Sequence, residues 1–408
     1  MSVISGVTLH ILNGFSSWVF STYLLSVWFV PILPIYARSL GMSNTEIGAL
    51  VSIFSALQCI SSPFVGRWSD VHGRKSTLVW SLFFSSVSYL ILGLSSLKNA
   101  LPLFIIGRII AGVVKHSQTL VRAYFADVMN KDDGLVAFSH FLAISNIGYI
   151  IGPLIGGRMA DTQIGFFSIC FIAAFLFLID TIIIEYQIPN VYSHGHNPNK
   201  KQDHVSFFTF ITTLEYTKLL DVFLLRFLIT FSISLYRENF VLILNEKYSI
   251  SSKTSGYILS YQAVITVISS FLVAPLMIYT GMYSLLFYCT LILCVTLFSL
   301  TASRELWTVI VFLIPLGFCN STLCNVITEL LVARSKTELC GTVVGLGHSI
   351  MALSRMLAPV ISGFLLDRDV NGPAAVATGF SVITVIVTTW IVYKHHGFRH
   401  YQQPHNCE

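Results

Sequence analysis

The sequence has little charge: Asp, Glu, Lys and Arg make up only 11% of its 408 residues. Soluble domains carry about a quarter, so this scarcity excludes an ordinary soluble protein. The formal net charge is only +5, and no basic stripe with interleaved aromatics indicates a nucleic-acid partner. The chain also lacks a nucleophile elbow, a phosphate loop and a zinc-protease signature. We therefore expect no enzyme activity, no cofactor and no metal site.

Cysteine is present, but not in positions that predict cross-links. Six of the eight cysteines lie inside apolar runs, where small packing side chains are more common than metal ligands or disulfides. These six are Cys59, Cys170, Cys289, Cys294, Cys319 and Cys324. We expect no structural disulfide.

Long apolar runs dominate what the sequence does contain. Hydrophobic residues make up 54% of the chain and the mean hydropathy is +0.75. The runs repeatedly reach the roughly 20 residues that span a bilayer as a helix, and they do not alternate as spanning strands would. The sequence predicts an all-α membrane protein with twelve spans, at about 12–36, 45–66, 76–97, 101–127, 135–160, 164–186, 218–246, 255–280, 283–302, 305–332, 341–366 and 374–394.

The spans divide into two groups of six. We predict a bundle over 1–186, a polar linker over 187–217, a second bundle over 218–394 and a tail over 395–408. Lysine and arginine are more frequent in the loops on the side of both termini, which predicts that both termini are cytoplasmic. We expect a monomer in the lipid bilayer, and a plasma membrane or an endo-lysosomal membrane fits equally.

Two helices of these groups look like copies of each other. The segment 144–161 reads ISNIGYIIGPLIGGRMAD and the segment 350–367 reads IMALSRMLAPVISGFLLD. Pro153 aligns with Pro359 and Gly157 with Gly363 at one constant offset. Parallel repeats of this kind predict two pseudo-symmetric bundles, although chance similarity between apolar helices is the alternative.

A charged loop, GRWSDVHGRK over 66–75, separates the second and third spans. Its pattern G-x-x-x-D-x-x-G-R-K resembles the signature loop of the major facilitator superfamily. That resemblance implies a latch that closes the inner gate, in which Arg74 reaches an acid at the end of the fourth span. The latch residues would be Gly66, Asp70, Gly73, Arg74, Lys75 and Asp127. The alternative is a topology anchor, in which the basic residues only hold the loop inside.

The fourth span carries cations at a spacing of seven residues. Arg108, Lys115 and Arg122 would share one face of a continuous helix. A cation near mid-membrane is costly unless it faces water, a partner or a substrate. Arg108 followed by Gly112 resembles the R-x-x-x-G of drug–proton antiporters, while buried ion pairs that hold helices together are the structural alternative.

Polar stripes on the seventh and eleventh spans extend the same theme. Arg226, Thr230, Ser234 and Arg237 share a face, whereas Glu238 should point about 100° away. We predict a central water-filled cavity, in which bases outnumber acids, and this excess favours an organic anion as the solute. The candidate cavity residues are Arg108, Lys115, His116, Asn146, Arg237, Glu238, His348 and Arg355.

The fifth span contains GYIIGPLIGG, which resembles the G-x-x-x-G-P-x-x-G-G of antiporters. Its small residues are Gly148, Gly152, Pro153, Gly156 and Gly157, and plain helix packing would explain them equally. The first span lacks the acid that many such antiporters carry. If protons are coupled, the candidates to titrate are Glu238, Glu329 and His140, with histidine the natural switch near neutrality.

Together these motifs are most similar to the tetracycline-resistance and drug–proton antiporter branch of the major facilitator superfamily, near its eukaryotic orphan members. The resemblance implies a secondary active transporter of a small organic solute that works by alternating access, with proton-coupled antiport. A proton symporter or a facilitator of the same fold is an alternative. A transport-inactive receptor or scaffold that kept the fold is the alternative from another class.

Overall fold

The computed structural model describes residues 28–29, 31–128, 131–160, 165–187, 216–335 and 340–401. Every regular element in these ranges is helical. The helices are α1 Leu33–Ser39, α2 Asn44–His72, α3 Arg74–Lys98, α4 Leu101–Val114, α5 Ser117–Val128, α6 Lys131–Ala160, α7 Gly165–Gln187, α8 Tyr216–Arg237, α9 Phe240–Tyr248, α10 Ser252–Thr280, α11 Met282–Ala302, α12 Leu306–Arg334, α13 Cys340–Arg368 and α14 Gly372–Tyr401.

The all-α prediction is confirmed. Within the described residues, eleven helical segments are long and apolar enough to cross a membrane. They correspond to the second to twelfth predicted spans, while most of the first predicted span, 12–36, lies outside the described residues. The predicted linker also lies almost wholly outside them. The last helix continues to Tyr401, beyond the predicted end at 394.

The chain divides into two compact units. The first comprises Met1–Gln202 and Leu244–Ala263, and the second comprises Asp203–Ile243 and Val264–Glu408. In the first unit α3 packs against α4 and α7, and Leu78, Leu82 and Leu92 of α3 are almost fully buried. In the second unit α8 packs against α13 and α14, and α11 packs against α12 and α14.

Local chemistry explains several helix ends. Ser43 caps α2 with a capping box, in which its hydroxyl accepts from the Glu46 N–H and the Glu46 carboxylate accepts from the Ser43 N–H at 2.8 Å. Gly73 between α2 and α3 has a φ of +95°, and Gly281 between α10 and α11 has a φ of +78°. Such angles favour glycine. The turn between α10 and α11 therefore has a glycine like the turn between α2 and α3, although it lacks the charged residues that surround Gly73.

The fourth predicted span is interrupted. The helix ends at Val114 and a new one begins at Ser117, with Lys115 at φ −82° and ψ 76°. The prediction of one continuous helix over 101–127 was wrong, because Lys115 caps the end of α4 and Arg122 belongs to the separate helix α5. The side chain of Arg122 lies outside the described part of the chain.

Side chains from neighbouring helices pair with the carbonyls at this break. The Ser81 hydroxyl donates to the Val114 carbonyl at 2.6 Å, and the Gln58 amide donates to the Lys115 carbonyl at 2.8 Å. A backbone group released from a helix inside a membrane needs such a partner, because lipid offers none. The break is therefore a stable feature that α2 and α3 hold open.

Substituting Gln58 by leucine is expected to lower the free energy of unfolding by about 1–2 kcal/mol, because the Lys115 carbonyl would lose its donor. Thermal unfolding of the purified protein in detergent measures this. Ser55→Ala is the control, since the Ser55 hydroxyl donates only within its own helix, to Val51 O. Equal stability of the two variants would mean that the amide does not support the break.

Candidate functional site

A polar cavity of about 240 Å³ lies within the second unit, between α8, α10, α12 and α13. The stripe of α8 lines it with Arg226, Thr230, Ser234 and Arg237, in agreement with the helical spacing. The other helices supply Arg355 and a set of uncharged polar residues. That set is Ser270, Asn320, Ser321 and Asn325.

Glu238 also lines this cavity, in agreement with its place among the candidate cavity residues. Helix α8 ends at Arg237 and α9 begins at Phe240, and the Glu238 N–H still donates to the Ser234 carbonyl at 3.0 Å, as it would in a helix. The amide of Asn239 in the gap donates to the Pro359 carbonyl at 2.8 Å. The lining thus holds three arginines and one glutamate, a balance of two positive charges.

Arg226 is the most deeply placed cation of the cavity, with only 2% of its surface exposed. Its Nη1 donates to Thr328 Oγ1 at 3.0 Å. Its Nε and Nη2 are buried and have no hydrogen-bond partner among the described residues. The candidate cavity residues chosen from the sequence omitted Arg226, although the four-residue spacing to Thr230 was a sufficient signal.

The cavity lining does not include every candidate. His348 on α13 and Glu329 on α12 are exposed and do not belong to it. Asn146 and His140 are exposed on α6, in the first unit. The structure therefore brings together Arg237, Glu238 and Arg355 of the predicted cavity set.

The remaining candidates of that set, Arg108, Lys115 and His116, lie near the interrupted fourth span in the first unit. The Arg108 guanidinium lies 4.5 Å from the centre of the Phe54 ring, and the Lys115 ammonium donates to the Tyr89 hydroxyl at 3.1 Å. His116 is buried, with its Nε2 hydrogen-bonded to Ser61 Oγ at 2.7 Å. Within the described residues neither Arg108 nor Lys115 contacts a carboxylate, so aromatic rings and a hydroxyl stabilise these cations.

The charged loop predicted over 66–75 is largely helical, since only Gly73 lies between α2 and α3, and its side chains form a tight cluster in the first unit. Arg74 donates from Nε to Asp127 Oδ2 at 2.7 Å, and its Nη2 lies 2.5 Å from Asp70 Oδ1. A third bond, from Nη1 to Ser69 Oγ at 2.5 Å, was not predicted. Arg74 therefore pairs with both acids of the predicted latch, Asp70 and Asp127.

The other residues of the loop have separate environments. Lys75 is buried and its ammonium donates to the Glu185 backbone carbonyl at 2.5 Å. Gly73 forms the turn between α2 and α3. At Gly66, also a predicted latch residue, an added Cβ would meet no atom within 4 Å, so no close helix approach requires this glycine.

The glycines of the fifth span are buried on α6, together with Pro153. A Cβ on Gly156 would collide with the Trp28 carbonyl, and a Cβ on Gly157 would lie 2.7 Å from the Ser252 carbonyl oxygen. Gly256 on α10 faces the Pro153 carbonyl just as closely. The α6 and α10 backbones therefore meet without side chains between them. Gly148 and Gly152 are also buried.

Apolar spanning helices around an arginine-rich cavity define a multi-pass membrane transport protein. The Major Facilitator Superfamily model matches residues 9–237, and the chain belongs to this family. Multidrug resistance protein 2 of Bacillus subtilis (strain 168) is 25% identical over 369 residues, which cover 89% of this chain and 90% of that protein.

Solved structures agree with this fold. The nucleoside transporter NupG has a TM-score of 0.76 at 12% identity, covering 95% of this chain and 99% of the other. The human organic anion transporter MFSD10 has a TM-score of 0.67 at 16% identity, covering 93% of this chain and 99% of the other. As a member of the Major Facilitator Superfamily, the protein is an integral membrane transporter of a small molecule and not an enzyme.

Proposed function

We propose that this protein is a secondary active transporter of small organic anions that works by alternating access, as a proton-coupled antiporter. The observation that carries the proposal is the cavity of the second unit, in which Arg226, Arg237 and Arg355 face a single carboxylate, Glu238. Cations inside a membrane protein are costly unless they serve a partner or a solute. A cavity with two excess positive charges attracts anions and repels cations.

Alternating access is supported by the charged loop. Arg74 pairs at the same time with Asp70 on α2 and with Asp127 on α5. Breaking these ion pairs would release α5 from the α2–α3 junction, which would allow a change between two arrangements. The chain has no phosphate-binding loop, so a gradient is the expected energy source.

Two further features support antiport and proton coupling. The tight contact of Gly157 of the fifth span with α10 accords with the antiporter-like motif. Glu238 lines the cavity together with the arginines, which supports it as the leading proton carrier ahead of the exposed His140 and Glu329. The multidrug resistance relative and the organic anion transporter of like fold are consistent with export of organic solutes.

The organisation in the membrane is part of the same proposal. Bundles over 1–186 and 218–394 would be joined by a cytoplasmic linker over 187–217, with both termini, including the 395–408 tail, on the cytoplasmic side. The lysine and arginine bias of the loops supports this orientation. The proposed unit is a monomer.

Flux in proteoliposomes tests the function. We expect proteoliposomes to move radiolabelled benzoate faster than protein-free liposomes do, and an imposed pH gradient to drive this protein-dependent benzoate flux against the benzoate concentration. Flux that ignores the pH gradient would favour a facilitator. No flux of benzoate or of any other organic anion under either condition would favour the receptor or scaffold alternative.

Reversing the charge of Arg355 to glutamate is expected to lower anion flux at least tenfold, because the balance of two positive charges in the cavity falls to zero. Arg304→Glu is the matched control, since Arg304 is exposed at a helix junction and does not line the cavity. Equal losses in both variants, or none in Arg355→Glu, would contradict an anion site in this cavity.

A further inference from the structure

We propose that Arg226 selects the solute by binding a terminal oxyanion, a carboxylate or a phosphate, along the edge formed by its Nε–H and Nη2–H groups. This inference rests on the proposed function and names the chemical group that the cavity recognises. It makes Arg226 the specificity-determining residue, while Arg237 and Arg355 supply attraction.

The unpaired donors of Arg226 form a single edge of its guanidinium. Nε–H and one Nη2–H lie in the guanidinium plane and point in the same direction, and neither nitrogen has a partner among the described residues. Two parallel N–H groups of this kind match two oxygens of one carboxylate or phosphate. A buried charged donor without a partner is unfavourable, so a ligand that satisfies this edge gains affinity there.

Thr328 fixes the direction of this edge. Its hydroxyl accepts from Arg226 Nη1 at 3.0 Å and donates to the Cys324 carbonyl at 2.8 Å. With Nη1 held in this way, the guanidinium cannot rotate freely, and the open edge keeps one orientation. Both Arg226 and Cys324 line the cavity, which places the Arg226 side chain at the cavity wall.

Gly347 of α13 leaves the space that Arg226 occupies. A Cβ at this position would lie 3.4 Å from both Cδ and Nε of Arg226, and 2.9 Å from Cδ1 of Leu331. The methyl group of an alanine there would contact Nε, one of the two unpaired donors. The two neighbours of Arg226 thus differ in role: Thr328 orients the group, and Gly347 leaves room beside Nε.

The remaining arginines of the cavity do not share these properties. Arg237 and Arg355 are exposed side chains. They contribute positive potential, which any anion senses, whereas a buried planar edge distinguishes an oxyanion from a halide or a neutral amide. Recognition and attraction are therefore separable by substitution.

Binding to the purified full chain in detergent tests the inference. The probes are benzoate and phenyl phosphate, with neutral benzamide as the comparison, and the dissociation constant comes from the ligand-dependent midpoint of thermal unfolding. We expect Arg226→Lys, which keeps the charge but removes the two-donor edge, to weaken binding of an oxyanion probe at least tenfold. Arg368→Lys, at an exposed end of the same unit, should stay within twofold of the parent protein.

A second variant keeps the test valid if Arg226→Lys fails to fold. Gly347→Ala retains the arginine and should still weaken oxyanion binding severalfold, with benzamide unaffected. Oxyanion affinities within twofold of the parent in both variants would overturn the inference. If only benzoate shifts the midpoint of thermal unfolding, the edge binds carboxylates. If only phenyl phosphate shifts it, the edge binds phosphates.

Failure of this inference is distinguishable from failure of the proposed function. Oxyanion binding that depends on Arg226, without flux in proteoliposomes, would leave the inference standing and remove the transport proposal. Benzoate flux that persists unchanged in Arg226→Lys would remove the inference and leave the transport proposal standing.

Discussion

Replacing Arg74 by alanine is expected to reduce transport at least tenfold and to lower the free energy of unfolding by about 2 kcal/mol. The substitution leaves the carboxylate of Asp127 without its partner at 2.7 Å, and this carboxylate is only 22% exposed. Loss of one member of a buried pair costs about 3–5 kcal/mol, and we reduce this value because Asp127 retains some solvent. Asp70 is 54% exposed, so its share of the stability is small.

The measurement combines proteoliposome flux with thermal unfolding. Arg67→Ala is the matched control, because Arg67 belongs to the same loop but is exposed. A double-mutant cycle with Asp127→Asn isolates the pair, since the second substitution should add little once Arg74 is gone. If Arg74→Ala and Arg67→Ala transport equally well, the loop is a topology anchor and the latch proposal is wrong.

Replacing Gly256 by alanine is expected to lower the free energy of unfolding strongly. The added methyl group would collide with the carbonyl oxygen of Pro153 on α6, and Gly157 lies on the same contact. Because both partners in this contact are backbone atoms, neither can move aside as the tip of a flexible side chain would. Overpacking a well-filled contact costs about 1–3 kcal/mol, and a contact between two backbones belongs at the upper end of that range.

Gly379→Ala is the control for this substitution. It lies in α14, where an added Cβ would meet no atom within 4 Å. Alanine is favoured over glycine inside a helix by about 1 kcal/mol, so the control should be neutral or stabilising while Gly256→Ala is destabilising. Opposite signs in thermal unfolding would support the backbone contact. A Gly256→Ala protein as stable and active as its parent would show that α6 and α10 tolerate separation.

Much of the architecture was predictable from composition and periodicity. Apolar runs of spanning length had to be helices, because lipid leaves no other way to pair backbone amides. The polar stripe of α8 was predictable from helical spacing, since residues four apart on a helix share a face whatever surrounds them. The pairing of Arg74 with Asp127 followed from a resemblance, since the spacing of 53 residues carries no geometric information of its own.

The breaks at Lys115 and Glu238 were decided by tertiary structure. Neither lies at a proline or glycine, so local propensity gave no sign of them. The first depends on Gln58 and Ser81, which reach the released carbonyls from other helices. At the second, the Asn239 amide donates to the Pro359 carbonyl of α13 at 2.8 Å.

Amino-acid order alone established that this chain is a helical membrane protein with interior cations and a charged loop of the facilitator type, because hydropathy and helical spacing are properties of neighbouring residues. Only the three-dimensional packing decided which cations meet one cavity, which nitrogen atoms of Arg226 stay unpaired and which glycines lie in close contact with another backbone. Those outcomes depend on distances between residues that are remote along the chain. Gly66 and Gly256 illustrate the difference, since the same residue type lies in open space at one position and against a backbone at the other.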